Sequence, residues 1–265
     1  EGTVERKLSD LYKMAVDTDR REKDGLSPVQ PILKRLEAAK TTSQLFAIQK
    51  EMMPAGAPMF YGAGIGADEM NATQNILGVN QGGLTLGQKD YYLENDPATT
   101  KIREAYKLHI VKMFRLFGFK TGVAQKKMQN VMKIEMALAK VSRSNTQLRD
   151  PKANYNKMTL QEFQSKYPHL QLEQLMNAKG IDSKYLQTLV VGQPDFMAGA
   201  EKVIAGLSAP AYRDWMEWRI INGAANLLND EAAQASFDFY GKVMAGRKEN
   251  HPLWRRATSQ VEGVM

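Results

Sequence analysis

The chain has 265 residues, of which 43% are hydrophobic and 25% charged, and this ordinary balance argues against a disordered protein. Its formal net charge of +7 comes from residues 101–160, which hold fourteen Lys or Arg against three acidic residues, while the rest of the chain is mildly acidic. There is no Cys, which excludes disulfides and thiolate metal sites, no apolar run near the ~20 residues of a membrane span, and no signal peptide at the first residues.

The first sixty residues contain three patterns typical of amphipathic helices. An apolar stripe over residues 4–15 predicts the first helix, and the polar run 17–25 is expected to end it. Ser27 followed by Pro28 indicates an N-cap with proline at the first helical position of a second helix. A third helix is expected after Thr42, and a stretch rich in Pro and Gly breaks it.

Residues 59–80 differ in texture, because glycines and aromatic residues alternate with short apolar runs. This pattern predicts a β-hairpin. Gly62, Gly64 and Gly66 also raise the alternative of a phosphate-binding loop. Their spacing does not match the dinucleotide fingerprint and no clear change from strand to helix follows, so the hairpin is favoured.

Two long helices are predicted next along the chain. Asp96 and Pro97 are suited to open the first, whose apolar stripe over residues 102–117 ends at Gly118. The second is expected over about residues 122–142. Because only a few residues connect them, the two helices are expected to form an antiparallel pair.

The remainder is predicted to be helical apart from a short strand-like run at residues 189–191. Thr159 and Glu162 form a capping box, in which the Thr hydroxyl accepts from the backbone N–H three residues later and the Glu carboxylate reaches back. Further helices are expected at 195–206, 210–228 and 231–245. No repeat or linker marks a boundary between domains.

The basic block at residues 101–160 allows three interpretations. The favoured one is that its Lys and Arg lie on the solvated faces of the two long helices. Alternatively, these basic helices hold an acidic partner, or they bind nucleic acid. The aromatic residues of the block recur at helical spacing and suit a core, so no platform for single-stranded nucleic acid is expected.

The search for catalytic chemistry identifies no site. The zinc-binding pattern His-Glu-x-x-His is absent, and His109, His169 and His251 are far apart in sequence. His109 is expected to be a core or boundary residue, and the other two to be structural or exposed. Glu135 is either a perturbed acid or, as favoured, a carboxylate that pairs with a Lys or Arg or caps a loop backbone.

Other chemically interesting residues have ordinary explanations. Glu231 and Asp238 follow a surface pattern, and packing explains two tryptophans and an arginine at helical spacing, Trp215, Trp218 and Arg219. We therefore predict no catalytic, cofactor-binding or metal-binding residue in this chain.

Five sequence blocks carry a family resemblance. They are 81–92, 135–139 with 149–151 and 155–159, 218–219, 237–241, and 252–256 with 261–263. In this order they resemble the N-terminal region of the neprilysin and endothelin-converting-enzyme family of zinc metalloendopeptidases, which includes bacterial oligopeptidase O enzymes. The first block departs from the family pattern at Gly87, where the family has Pro, and at Lys89, where it has Arg.

The resemblance implies a mainly α fold with long antiparallel helices and one small hairpin near residues 59–80. It also implies that residues 1–265 form a single helical domain of the lid type, which is an internal piece of a larger peptidase. In the intact enzyme it implies a zinc ion, which this chain does not bind, so the chain alone is expected to be inactive. The expected partners are the catalytic domain of the same polypeptide and small peptide substrates. No nucleic acid or membrane span is expected. Bacterial relatives favour a periplasmic or envelope location. The alternative is a stand-alone binding module that uses the basic helices.

Overall fold

The computed structural model describes residues 2–263, and these are mainly helical with one small sheet. The α-helices are α1 Val4–Val16, α2 Thr18–Asp24, α3 Gln30–Ala38, α4 Thr42–Met52, α5 Asp90–Leu93, α6 Pro97–Leu116, α7 Thr121–Val141, α8 Asn145–Leu148, α9 Leu160–Lys166, α10 Leu172–Ala178, α11 Pro194–Ala205, α12 Ala209–Ala224, α13 Asp230–Ser236 and α14 Leu253–Glu262. The strands are β1 Tyr61–Asp68, β2 Asn71–Gln81, β3 Asn156–Thr159 and β4 Thr188–Val191.

The predicted hairpin is confirmed as the antiparallel pair β1 and β2, with a register shift between Ala67 and Asp68. It belongs to a sheet of order β1-β2-β4-β3. The strand-like run at 189–191 is confirmed as β4, which pairs in parallel with β2 and antiparallel with β3. The sequence did not predict β3, because its four residues have only β4 as a partner. The glycine-rich run lies within β1, so the interpretation as a phosphate-binding loop is not supported.

The polar run 17–25 ends α1 at Val16 as predicted, but it also forms a short helix of its own, α2, which was not predicted. Asp17 caps α2 by accepting from the backbone N–H of Arg20 at 3.0 Å. The guanidinium of Arg21 donates to the carbonyl of Leu228 at 2.7 Å, which fixes α2 to a distant part of the chain. The predicted cap at Ser27 is wrong, since Ser27–Val29 is a 3-10 turn whose Ser hydroxyl donates to a carbonyl.

The two long helices α6 and α7 are confirmed and pack against each other. Asp96 caps α6 by accepting from two backbone N–H groups, and Gly118 lies just beyond its end with φ of 91°. The capping box of Thr159 and Glu162 is confirmed at the start of α9, where such a cap stabilises the helix by about 1 kcal/mol.

The helix expected at 231–245 is present but changes its geometry. α13 ends at Ser236 and continues as a π-helix over Phe237–Met244. Such segments are rare and commonly occur at functional sites. A side-chain carbon at Gly241 would clash with the ring of Phe237, so glycine is required for this turn to pack.

Helix α12 separates two clusters of buried apolar side chains. Trp215 belongs to the cluster around the sheet, together with α4, α9, α10 and α11. Trp218, one turn later, belongs to the cluster formed with α6, α7, α13 and the π-helix. Both indoles are fully buried, and they belong to a run of consecutive buried residues, 214–218, as expected for a helix that is covered on nearly all sides.

Candidate functional site

Glu135 of α7 is a fully buried acid, and it accepts three hydrogen bonds from hydroxyl groups. Thr85 donates to Oε1 at 2.5 Å, while Tyr92 and Tyr106 donate to Oε2 at 2.7 and 2.9 Å. The indole N–H of Trp218 donates to the Tyr106 oxygen at 2.9 Å. The side chain of Glu135 is fully enclosed, so this acid cannot contact a ligand.

Burial raises the pKa of Glu135, while the hydroxyl donors and the charge of Arg219 oppose the rise. The prediction that Glu135 pairs with a Lys or Arg or caps a loop backbone is therefore wrong, since hydroxyls satisfy its oxygens. Arg219 instead donates to the Thr85 hydroxyl at 3.1 Å. Three of the family-like blocks thus meet at one carboxylate, which fixes the loop at 81–89 to the helices and serves structure.

Lys127 of α7 forms a second buried polar cluster, which sequence reasoning missed. Its Nζ lies 2.9 Å from Asp214 Oδ1 and 2.5 Å from Glu217 Oε2, both on α12. Asn130 donates to the other oxygen of Asp214 at 2.7 Å. The ammonium also lies 4.5 Å from the ring centre of Phe119. All three charged side chains are almost fully buried.

Burial raises the pKa of Glu217 to about 7, and the charge of Lys127 opposes the rise. A cavity of about 420 Å³ borders this cluster and includes Lys127, Asp214 and Arg213. Glu217 does not line the cavity, so the two carboxylates do not face one ligand position as an acid and base pair requires. We interpret the cluster as a structural ion pair network between α7 and α12.

The three histidines do not fit a zinc site. His109 stacks on Phe239 with ring centres 5.0 Å apart, and burial lowers its pKa to about 4. His169 lies 2.5 Å from Glu201, at one cavity, whereas His251 lines another. Within residues 2–263, no group of three or more His, Asp or Glu is arranged to hold a metal ion.

The other residues singled out from the sequence have structural or surface positions. Trp215 stacks on Phe60 with ring centres 3.9 Å apart, so the packing prediction is confirmed. Asp238 forms ion pairs with Lys112 and Lys242, and Glu231 is exposed.

The basic block at 101–160 is mostly exposed, as the favoured interpretation predicts. Lys127 and Arg103 are exceptions that face inward. The guanidinium of Arg103 donates to the carbonyl of Glu94 at 2.9 Å. None of the described helices is both long and apolar enough to cross a membrane.

Helices α1 and α14 pack against each other but leave apolar side chains exposed. α1 has no buried residue, and α14 buries only Ala257. A groove of about 440 Å³ runs beside them, lined by Leu11, Met14 and Leu227 among others. Met14 and Leu227 are 61% and 56% exposed, respectively. An exposed apolar surface of this kind is typical of a contact with another protein surface.

The model of the N-terminal domain of peptidase family M13 matches residues 1–265. The chain belongs to peptidase family M13. This M13 domain is 24% identical over 277 residues to endothelin-converting enzyme-like 1 of Rattus norvegicus, covering 98% of the chain and 35% of that protein. It is 27% identical over 224 residues to Neprilysin-2 of Drosophila melanogaster, covering 81% of the chain and 28% of that protein. The resemblance noted in the sequence is confirmed.

Solved structures share the fold of this M13 domain. The open state of the Mycobacterium tuberculosis zinc metalloprotease Zmp1 aligns with a TM-score of 0.90 at 26% identity, over 97% of the chain and 40% of Zmp1. PepO from Lactobacillus rhamnosis aligns with a TM-score of 0.82 at 19% identity, over 97% of the chain and 40% of that protein, and shows the fold alone. The chain thus spans about a third of the length of the curated relatives it matches.

Proposed function

We propose that this chain is the non-catalytic helical domain of a neprilysin-like zinc metalloendopeptidase, and that it encloses the catalytic cleft and restricts access to small peptides. In this proposal residues 1–265 form one lid-type domain, and the zinc ligands and the catalytic glutamate lie in another part of the polypeptide. The observation that carries the proposal is the match to the N-terminal domain of family M13 over the whole chain, at 40% of the length of a zinc metalloprotease.

The chemistry of the described residues supports a separation between this helical domain and the part of the enzyme that carries the zinc ligands. The buried acids pair with hydroxyls in one cluster and with Lys127 in the other, and neither cluster combines two imidazoles with an adjacent carboxylate as zinc hydrolysis by the family pattern requires. Zinc would therefore be held elsewhere in the intact enzyme. This chain would supply walls of the enclosure and surfaces that face the peptide.

The exposed face of α1 and α14 supports a docking position for the catalytic domain of the same polypeptide. Its apolar side chains, such as Met14 and Trp254, remain more than half exposed within the described part of the chain. Removing them from water would stabilise an interface by roughly 25 cal/mol for each Å² of apolar surface. On the isolated chain, the same face is expected to promote self-association.

Activity and zinc content test the proposal directly. The 265-residue chain is expected to bind no stoichiometric zinc and to leave a fluorogenic peptide intact. A continuous polypeptide that also carries His-Glu-x-x-His is expected to bind zinc and to cleave the peptide. Stoichiometric zinc and peptide cleavage by this chain alone would contradict the proposal. A stop codon directly after Met265 would favour the alternative of a stand-alone module.

Size selection is tested in the continuous polypeptide with the variant Met14→Asp, which places a charge on the proposed docking face. Weaker docking is expected to raise cleavage of long substrates relative to short peptides. Met70→Asp is the matched control, because Met70 is 74% exposed at the tip of the hairpin. An unchanged ratio in Met14→Asp would argue against enclosure through this face.

We also propose a location outside the cytoplasm, from the export of bacterial relatives, which detection of the protein in a periplasmic fraction would test. The acidic-partner alternative has less support, because Lys127 and Arg103 of the basic block are used inside the protein.

A further inference from the structure

A second cavity, which adjoins the α1 and α14 groove at Ser259 and Gln260, is lined by several positively charged side chains. It has a volume of about 450 Å³ and lies between the π-helix, the loop that follows it and α14. Arg247, Arg255 and Arg256 line it together with His251. No Asp or Glu is among the lining residues, so nothing within the cavity wall offsets the three guanidinium charges.

These three arginines also lack carboxylate partners within residues 2–263. Other arginines of the chain do form ion pairs with carboxylates, namely Arg6, Arg20, Arg35, Arg143 and Arg213. Arg256 is only half-exposed, and its Nε is buried without a hydrogen-bond acceptor. That buried atom does not face the cavity, but Arg256 also lines the cavity wall, so its guanidinium charge adds to the positive charge there.

The local backbone adds to the positive potential. Arg255 and Arg256 lie in the first turn of α14, where the helix dipole is positive and where acidic residues are usual. That turn contains no acidic residue, and no side chain caps it. The neighbouring charges of Arg247 and Arg255 lower the pKa of His251 further, after the larger effect of its loss of solvation. These features favour an anion in the cavity.

We propose that this cavity binds a multiply charged oxyanion of the phosphate type, either free or as the phosphate group of a small molecule. Guanidinium groups match the geometry of phosphate through paired N–H donors. Arg256 is the half-buried arginine of the cavity wall, and Arg247 and Arg255 are its exposed arginines. A single carboxylate would neutralise only one of three charges, which is why a phosphate-type ligand fits better. The inference does not depend on the proposed function.

Calorimetric titration of the 265-residue chain with inorganic phosphate, at constant ionic strength, tests the site. We expect saturable binding to one site. Arg256→Gln is expected to weaken it about tenfold or more, which corresponds to the loss of one charge-assisted hydrogen bond. Arg247→Gln and Arg255→Gln are expected to weaken it as well, and because both side chains are exposed these variants should fold normally. Arg20→Gln, an exposed arginine on α2 with the same change in charge, should bind phosphate like the wild type.

Several outcomes would overturn the inference. These are a lack of saturation with phosphate, equal weakening by Arg20→Gln, unchanged binding in the cavity variants, or acetate binding as tightly as phosphate. Titration with glycerol phosphate separates the two sources of the ligand. Tighter binding than that of phosphate supports a phosphorylated small molecule, and weaker binding supports the free ion.

Discussion

Tyr106 and Glu135 are joined by a hydrogen bond of 2.9 Å that connects α6 to α7 inside the second apolar cluster. The tyrosine oxygen also accepts from the indole of Trp218, so one hydroxyl links three helices. A buried carboxylate is tolerated here because each of its oxygens accepts from a hydroxyl.

Tyr106→Phe removes this hydroxyl and leaves the carboxylate and the indole with one partner fewer. We expect the free energy of unfolding to fall by about 1–3 kcal/mol, measured by urea denaturation. Tyr185→Phe, at an exposed position, should change it little. Equal effects of the two substitutions would contradict the assigned role of Tyr106.

Lys127→Met leaves Asp214 and Glu217 buried without their nearest cation, because Arg213 lies farther away, at 3.6 and 4.0 Å. Breaking a buried ion pair in this way is expected to lower the free energy of unfolding by about 3–5 kcal/mol. The neighbouring Lys126 is exposed, so Lys126→Met makes the same chemical change at the surface and should stay within about 0.5 kcal/mol of the wild type. A decrease of less than about 1 kcal/mol in the free energy of unfolding of Lys127→Met would show that the three charges are better solvated than their burial indicates.

His109 makes stability dependent on pH. Burial lowers its pKa to about 4, against about 6.5 in the unfolded chain. Between these values the unfolded chain takes up a proton that the folded chain does not, so stability is lost as the pH falls from about 6.5 to about 4. The loss attributable to His109 is about 3 kcal/mol.

Comparison of the wild type with His109→Phe at several pH values isolates this contribution. Glu217 has a pKa raised to about 7, so its own contribution falls as the pH rises, but it is present in both proteins and cancels. The difference in free energy of unfolding should therefore vary only over the acidic range. Parallel stability curves would show that His109 does not titrate as its burial requires.

Gln171 has a left-handed backbone, with φ of 49°, and its amide oxygen is buried without a donor. Gln171→Gly is expected to remove both the backbone strain and the unpaired amide oxygen, and to stabilise the protein by about 0.5–1 kcal/mol. The matched Gln174→Gly lies inside α10 and should instead destabilise by about 1 kcal/mol. Thermal denaturation measures both, and destabilisation by both substitutions would contradict the strain at Gln171.

The sequence predicted those elements whose determinants are local. The cap at Asp96, the capping box at Thr159 and the hairpin all depend on residues close together in the chain. α2 was missed because it lacks an apolar stripe and is held by Arg21 through a contact with Leu228. β3 was missed because its partner strand follows it by about thirty residues.

The polar clusters show the same limit. Lys127 is indistinguishable in sequence from the exposed Lys126, because its partners Asp214 and Glu217 are about ninety residues away. The signal that was available is the placement of two acids beside buried tryptophans on α12. The apolar neighbours of Glu135 indicate an unusual acid, but its hydroxyl partners come from three distant places, the loop before α5, α5 and α6.

The position of α12 between the two apolar clusters affects how cooperatively the protein unfolds. Trp215 and Trp218 are one helical turn apart, yet each closes a different core. Any motion that removes α12 from one cluster also exposes the other cluster to solvent. The two clusters are therefore expected to unfold together and not in separate transitions. Helices α3 and α7 also contribute buried residues to both clusters, so the two cores are coupled through shared helices and both indoles should report the same transition.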